Sequence, residues 1–225
     1  MATSVRPQAT ATGGADNPVL AAVTGWVKGH KQAFSWIVTL VIVGAGLGGW
    51  NLMSSRQTEA RAARDLVGAR LAFESRNYPL AGSELSRIAE NYSGTRAAEE
   101  ATLLLAQVRL IQGQSQLAVE QLAKFAPSAS KQYKAQAYGL LGAAYENAGR
   151  PAEAAAAYEE AAKASGMPFL RAQFLSDAGR SWVAAGDTAK ALAAYREIVT
   201  KLDSAGTVVE AKVRIGELTR GAGGR

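Results

Sequence analysis

The chain has 225 residues, 25 Lys and Arg against 19 Asp and Glu, one histidine and no cysteine. The missing thiols exclude disulfides and thiolate metal sites, and with His30 as the sole imidazole neither a His-based metal site nor a Ser-His-Asp triad is expected beyond it. The formal charge of +6 does not single out nucleic acid: from Ala62 onward 20 basic residues face 17 acidic ones, spread through helical segments without a run of consecutive Lys or Arg.

Residues 1–26 are rich in Ala, Thr, Gly and Pro and have little periodicity. Such a composition buries too little apolar area to offset its ordering entropy, so a flexible N-terminal tail is expected. Docking on a neighbour through Val19, Leu20 and Trp26 is the alternative.

Residues 27–55 read as a single transmembrane helix with its flanks. Ala33 to Met53, AFSWIVTLVIVGAGLGGWNLM, runs 21 residues without a charge. At about 1.5 Å per residue it reaches roughly 31 Å, close to the hydrocarbon thickness of a bilayer. Trp36 and Trp50 stand near its ends, where indoles favour the membrane–water interface. A buried core helix and a cleaved signal peptide are the competing readings. The long segment before the apolar run, the 21-residue length of that run and the lack of a clean A-x-A site argue for an uncleaved anchor. Gly44 and Gly48, and Ala45 and Gly49, are spaced four apart, which forms a packing face for another membrane helix unless it reflects only the frequency of Gly in such helices. The flanking charges are level, with Arg6, Lys28 and Lys31 before and Arg56, Arg61 and Arg64 after, so they leave orientation open. The short tail makes a cytoplasmic N-terminus the simpler choice. The expected location is then a bacterial inner membrane, with the C-terminal domain in the periplasm.

Residues 56–220 carry a repeat. Ala81, Ala118, Ala154 and Ala191 recur at intervals of 37, 36 and 37 residues. The last two units match further, Gly142 with Gly179, Tyr145 with Trp182, Gly149 with Gly186 and Tyr158 with Tyr195. A period of this size, made of helix, turn and helix, marks a helical repeat array. Gly142 and Gly179 let the first helix of a unit approach the second, while Tyr145 and Trp182 fill the groove between them. Gly149 and Gly186 sit where the chain reverses and positive φ is needed. Ala154 and Ala191 keep the second helix thin at the crossing, and Tyr158 and Tyr195 close the layer. The first two units lack the aromatic, with Ala72 and Arg109 in its place. The expected units are 62–98, 99–134, 135–171 and 172–204, followed by a capping helix over VVEAKVRIGELTR and a disordered tail at 221–225.

The run from Leu141 to Tyr158, L-G-x-x-Y-x-x-x-G-x-x-x-x-A-x-x-x-Y, resembles the tetratricopeptide repeat. That likeness implies a right-handed array of about four helix-turn-helix units and a cap, and with the transmembrane helix before it the expected fold is all-α. The first helices of such an array line a concave face. By position its candidate lining is Arg70, Glu74, Gln107, Leu110, Ile111, Glu146, Asn147, Gln173 and Arg180, a surface suited to an extended peptide or a partner helix. Ordinary exposed positions, with Leu110 and Ile111 in the core, are the competing reading.

No P-loop, H-E-x-x-H or G-x-S-x-G occurs, and GAGLGG lies inside the apolar run with no strand before it. The adjacent pairs Glu99–Glu100 and Glu159–Glu160 point to different helix faces and read as solvated charge. Neither an enzyme nor a cofactor is expected, and no nucleic-acid partner. The order of parts, a short tail, a membrane helix ending Gly-Gly-Trp, NLMSSRQ, an Ala-rich helix and divergent repeats, is similar to the tetratricopeptide-like ancillary subunit family of the bacterial Sec translocon. That resemblance implies a non-catalytic adaptor that hands secreted clients to periplasmic chaperones, with the lipid bilayer, an integral membrane complex and protein or peptide partners as its contacts. The Ala/Thr/Gly-rich tail departs from the family. A structural accessory subunit of another membrane assembly, respiratory or photosynthetic, is the alternative.

Overall fold

The computed structural model describes the backbone of residues 31–202 and 205–220, with part of the side chains of residues 31–52 and that of residue 205 left aside. The tail at 1–26, the flanking Lys28 and His30, and the end at 221–225 lie outside the described residues, as do the surroundings of Gly44, Ala45, Gly48 and Gly49. The chain divides into two compact units, Met1–Ser54 and Ser55–Arg225. Among the described residues every regular element is an α-helix.

The first helix, α1, is Lys31–Glu74. The rest follow as α2 (Tyr78–Asn91), α3 (Arg96–Ile111), α4 (Ser115–Phe125), α5 (Lys134–Asn147), α6 (Pro151–Ala164), α7 (Pro168–Ala184), α8 (Thr188–Lys201) and α9 (Ala205–Arg220). Local chemistry sets their starts. The side chains of Asn77, Thr95 and Asp187 accept hydrogen bonds from the backbone N–H groups of Leu80, Ala98 and Lys190, which caps α2, α3 and α8. Proline stands in the first turn of α2, α6 and α7, where its missing N–H costs nothing. The reversals within units two, three and four fall on Gly113, Gly149 and Gly186, whose φ values of 73°, 70° and 80° favour glycine. The first unit puts Arg76 at the same point, with φ of 60°.

Packing follows from small residues at fixed places. Ala81, Ala118, Ala154 and Ala191 each occupy the fourth position of a second helix and are fully buried. Gly142 faces the ring of Tyr158, and Gly179 that of Tyr195, so closely that a methyl group on either would strike ring carbons below 3 Å. Tyr158 and Tyr195 are 5% and 2% exposed. Gly139 does the same between units, against Phe174. Successive cores link neighbouring helices: one joins α1, α2 and α3 around Leu66, Leu85 and Ile88. The second runs from α3 to α6 around Leu103, Leu122 and Leu141. The third joins α6 to α9 around Trp182, Tyr195 and Ile198, and α9 closes it with Ala211, Val208, Ile215 and Leu218. Each large aliphatic side chain buried here contributes about 1.5–3 kcal/mol of hydrophobic stabilisation.

The structure differs from the sequence reading in several places. The expected unit edges at 98/99 and 171/172 fall inside helices, because the Thr95 cap starts α3 at Arg96 and Pro168 starts α7 three residues before Arg171. The arginine read in the aromatic slot of the second unit is there: Arg109 lies half-buried and donates to the Gln121 side chain at 2.6 Å and to Leu117 O at 3.2 Å. Leu110 packs against the second core, whereas Ile111 is 53% exposed. Among the described residues no helix is long and apolar enough to cross a membrane, most side chains of residues 33–53 lying outside that set. Those described there are exposed, Trp36 at 71%, Leu40 at 69%, Trp50 at 79% and Met53 at 67%.

Candidate protein-interaction surface

The candidate positions lie on the first helices α1, α3, α5 and α7, and the structure draws two of them, Glu146 and Arg180, into one network. Glu146, in the last turn of α5, accepts from the Tyr158 hydroxyl at 2.9 Å and from the Ser181 hydroxyl at 2.8 Å. Arg180 of α7 lies 3.3 Å from the same carboxylate and donates to Asp177 at 3.0 Å. Gln173, one turn before Asp177, is exposed, and its side chain favours the charged form of that carboxyl. Burial pushes the Asp177 carboxyl above its usual range, and Arg180 opposes the shift. Burial, then the Glu146 contact, pushes the Tyr158 phenol far up, so it stays a proton donor. The network therefore ties unit three to unit four, and Glu146 spends its acceptors inside the protein.

The other positions divide. Arg70 of α1 pairs with Glu100 of α3. Glu74 and Asn147 are exposed and Gln107 is half-buried. The carboxylates expected to be solvated have protein partners. Glu99 accepts from the Ser130 N–H at 2.8 Å, Glu159 from the Trp182 indole at 2.7 Å, and Glu160 from Lys163 at 2.7 Å. Adjacent residues on a helix point to different neighbours, and here each neighbour supplies a donor. A carboxylate of another kind serves the fold: Glu59 receives the Arg96 and Ala97 backbone N–H groups at the start of α3, where the helix dipole favours negative charge.

The repeat signature lies as follows. Leu141 is buried, and Tyr145 is half-buried with the Arg150 guanidinium 4.6 Å above its ring. Trp182 is 7% exposed, with Lys190 Nζ 4.1 Å above it. These cation–π contacts were not foreseen, although a basic residue close to the turn after each aromatic was visible in the sequence.

Several large apolar side chains remain open on unit Ser55–Arg225. Val67 and Leu71 on α1, Met167 and Phe169 at the start of α7, and Val209 and Val213 on α9 are each between 54% and 64% exposed. The pairs on α1 and α9 are four residues apart, so each makes a continuous strip along one helix face, a spacing already present in the sequence. Among the described residues no cluster of metal-ligating side chains occurs.

A family model described as a tetratricopeptide repeat-like domain matches residues 51–173. No curated protein matches the chain. Among solved structures, the crystal structure of MamA protein shares 19% identity, with a TM-score of 0.58 over 72% of this chain and 82% of that one. A putative kinesin light chain with TPR-like repeats from Podosopora anserina gives 19% identity and a TM-score of 0.56 over 74% and 89%. BtubC (BKLC) from P. vanneervenii gives 15% and 0.51 over 75% and 84%. At these identities the likeness is one of fold, while the family match extends over more than half of the chain, and the chain belongs to the tetratricopeptide repeat-like domain family.

Proposed function

We propose that the chain is a membrane-anchored, non-catalytic scaffold for protein–protein contact. The observation that carries the anchoring is the exposure of Trp36, Leu40, Val43, Trp50 and Met53 on a helical segment whose sequence holds no charge from Ala33 to Met53. Side chains of this size left bare in water cost roughly 1.5–3 kcal/mol each relative to burial, and a bilayer removes that cost along the whole segment. The scaffold part rests on the repeat fold, whose exposed apolar side chains on α1, at the start of α7 and on α9 suit partner helices or extended peptides. With a cytoplasmic N-terminus the repeat domain lies on the periplasmic side of a bacterial inner membrane. The order of parts favours an adaptor of the translocon-associated type.

The Glu146 network favours a second reading. With Arg70, Glu146 and Arg180 engaged internally, fewer charged groups on the first helices remain for transient clients, which suits a structural accessory subunit of one fixed membrane complex. Gentle solubilisation of native membranes, isolation of the intact chain and quantification of what accompanies it separate the two. The adaptor reading expects substoichiometric translocon components and chaperones. A fixed ratio to one unrelated complex would refute it and support the accessory subunit.

A further inference from the structure

A hollow of about 360 Å³ opens between α6, α7 and α8, with buried Leu175 and Ala194 at its base and the long side chains of Lys163, Arg171 and Lys201 around it. The repeat itself shows that this junction is unusual. One repeat earlier, Leu175 corresponds to Tyr138, which packs into the second core, while Glu159, Lys163 and Lys201 correspond to Ala123, Pro127 and Ala164. A bulky residue has been exchanged for a smaller one, and three uncharged positions for charged ones, around the same space.

The acids of the hollow are already engaged. Glu159 accepts from the Trp182 indole at 2.7 Å. Glu197 accepts from Arg171 Nη2 at 2.5 Å and lies 3.9 Å from Lys201 Nζ. Lys163 reaches sideways to Glu160 at 2.7 Å. Both lysines are about two-thirds exposed, at 65% and 66%, and sit at the rim of the opening. Arg171 uses its planar fork incompletely, because its Nε–H is buried and has no acceptor among the described residues. A guanidinium with one edge unused pairs well with a carboxylate after a small rotation, and two lysines at the mouth supply the remaining charge.

We propose that this hollow receives a glutamate side chain from a protein partner, its aliphatic stem against Leu175 and Ala194 and its carboxylate among Arg171, Lys163 and Lys201. The assignment rests on the scaffold reading above and names the chemistry of one contact within it. The hollow shares α6 and α7 with the Glu146 network but none of its residues.

The test uses the full chain in lipid nanodiscs and a fluorescent, end-capped peptide, Ala-Leu-Glu-Leu-Ala, read by anisotropy. Saturable binding is expected, weakening as salt is raised, with at least about a tenfold loss when the peptide Glu becomes Gln. The double variant Lys163→Ala/Lys201→Ala and the charge reversal Lys201→Glu are each expected to lose about tenfold. Leu175→Tyr, which restores the residue of the preceding unit, is expected to abolish binding by filling the space. Inorganic phosphate at the same ionic strength should not displace the peptide. The proposal is overturned if the Glu peptide shows no saturable binding, if Lys201→Glu binds it as the parent does, or if phosphate competes as well as unlabelled peptide. Binding that persists unchanged in every variant would remove this hollow while leaving the scaffold reading intact.

Discussion

The close contact of Gly142 with Tyr158 makes the sharpest quantitative prediction. A Cβ at position 142 would lie 2.7 Å from Cδ1 and Cε1 and 2.8 Å from Cζ of the ring. Carbon atoms rest about 3.5–4.0 Å apart, so the ring must retreat by about 1 Å. It has little room to do so, being 5% exposed and hydrogen-bonded to Glu146 at 2.9 Å. Overpacking of this kind costs about 1–3 kcal/mol, and weakening a bond to a carboxylate adds about 1 kcal/mol. The better helix propensity of Ala offsets about 1 kcal/mol. Gly142→Ala is therefore expected to destabilise by about 2 kcal/mol, or about 4–8 °C in Tm for a chain of this length. Gly82→Ala is the control, because its Cβ would meet only Val108 Cγ1 at 3.6 Å, an ordinary contact. It should be neutral or up to about 1 kcal/mol stabilising. Thermal unfolding followed by circular dichroism measures both, and a cycle with Tyr158→Leu should recover about 1 kcal/mol or more of coupling. A Gly142→Ala protein as stable as Gly82→Ala, with no coupling to position 158, would refute the reasoning.

Other expectations concern the turn, the carboxylates and the anchor. Arg76 holds a left-handed φ that costs a side chain about 1–2 kcal/mol, so Arg76→Gly should raise stability by about 0.5–1 kcal/mol, whereas Gly149→Ala should lower it; chemical denaturation reads both. The Tyr92 hydrogen bond, with Arg87 beside it, holds Asp65 below the usual carboxylate range. Its stabilisation is present above the unfolded-state pKa and is lost as pH falls through the folded value, so Asp65→Asn should destabilise at neutral pH and be silent in strong acid. Burial moves Asp177 the opposite way. Its contribution is complete below the unfolded pKa and lost as pH rises through the folded value, so Asp177→Asn should stabilise at neutral pH and be silent in acid; melting curves across pH distinguish the two. Gly44→Leu and Gly48→Leu should abolish co-isolation with a membrane partner while leaving the melting of the repeat domain unchanged, as measured by pull-down and circular dichroism.

Much of the repeat was legible because it depends on residues that are small for a reason. An alanine at the helix crossing, a glycine under a tyrosine and a glycine at a reversal are demanded by distances of a few ångströms, and they recur at the repeat period. Arg76 escaped notice because it takes the glycine slot of the first unit without being glycine. The candidate surface was read less well. Aligning repeats ranks positions within a unit, but Glu146 meets Ser181 across the junction to the next unit, a contact that depends on how units stack. The same holds for Gly139 against Phe174 and for Glu159 against Trp182. Positions that look equivalent in an alignment therefore become free, paired or hollow according to the neighbour they meet, and a repeat scaffold does not encode its partner in its fold.

Anchoring is best tested by alkaline carbonate extraction of membranes from cells that express the full chain, compared with a Leu40→Arg/Val43→Arg variant. Charges near the centre of a spanning helix each cost about 2.5–3.5 kcal/mol on insertion. The parent chain should remain in the membrane pellet with its C-terminal domain digestible from the periplasmic side, and the variant should be released. Release of the parent chain into the carbonate supernatant would contradict the membrane-anchored reading.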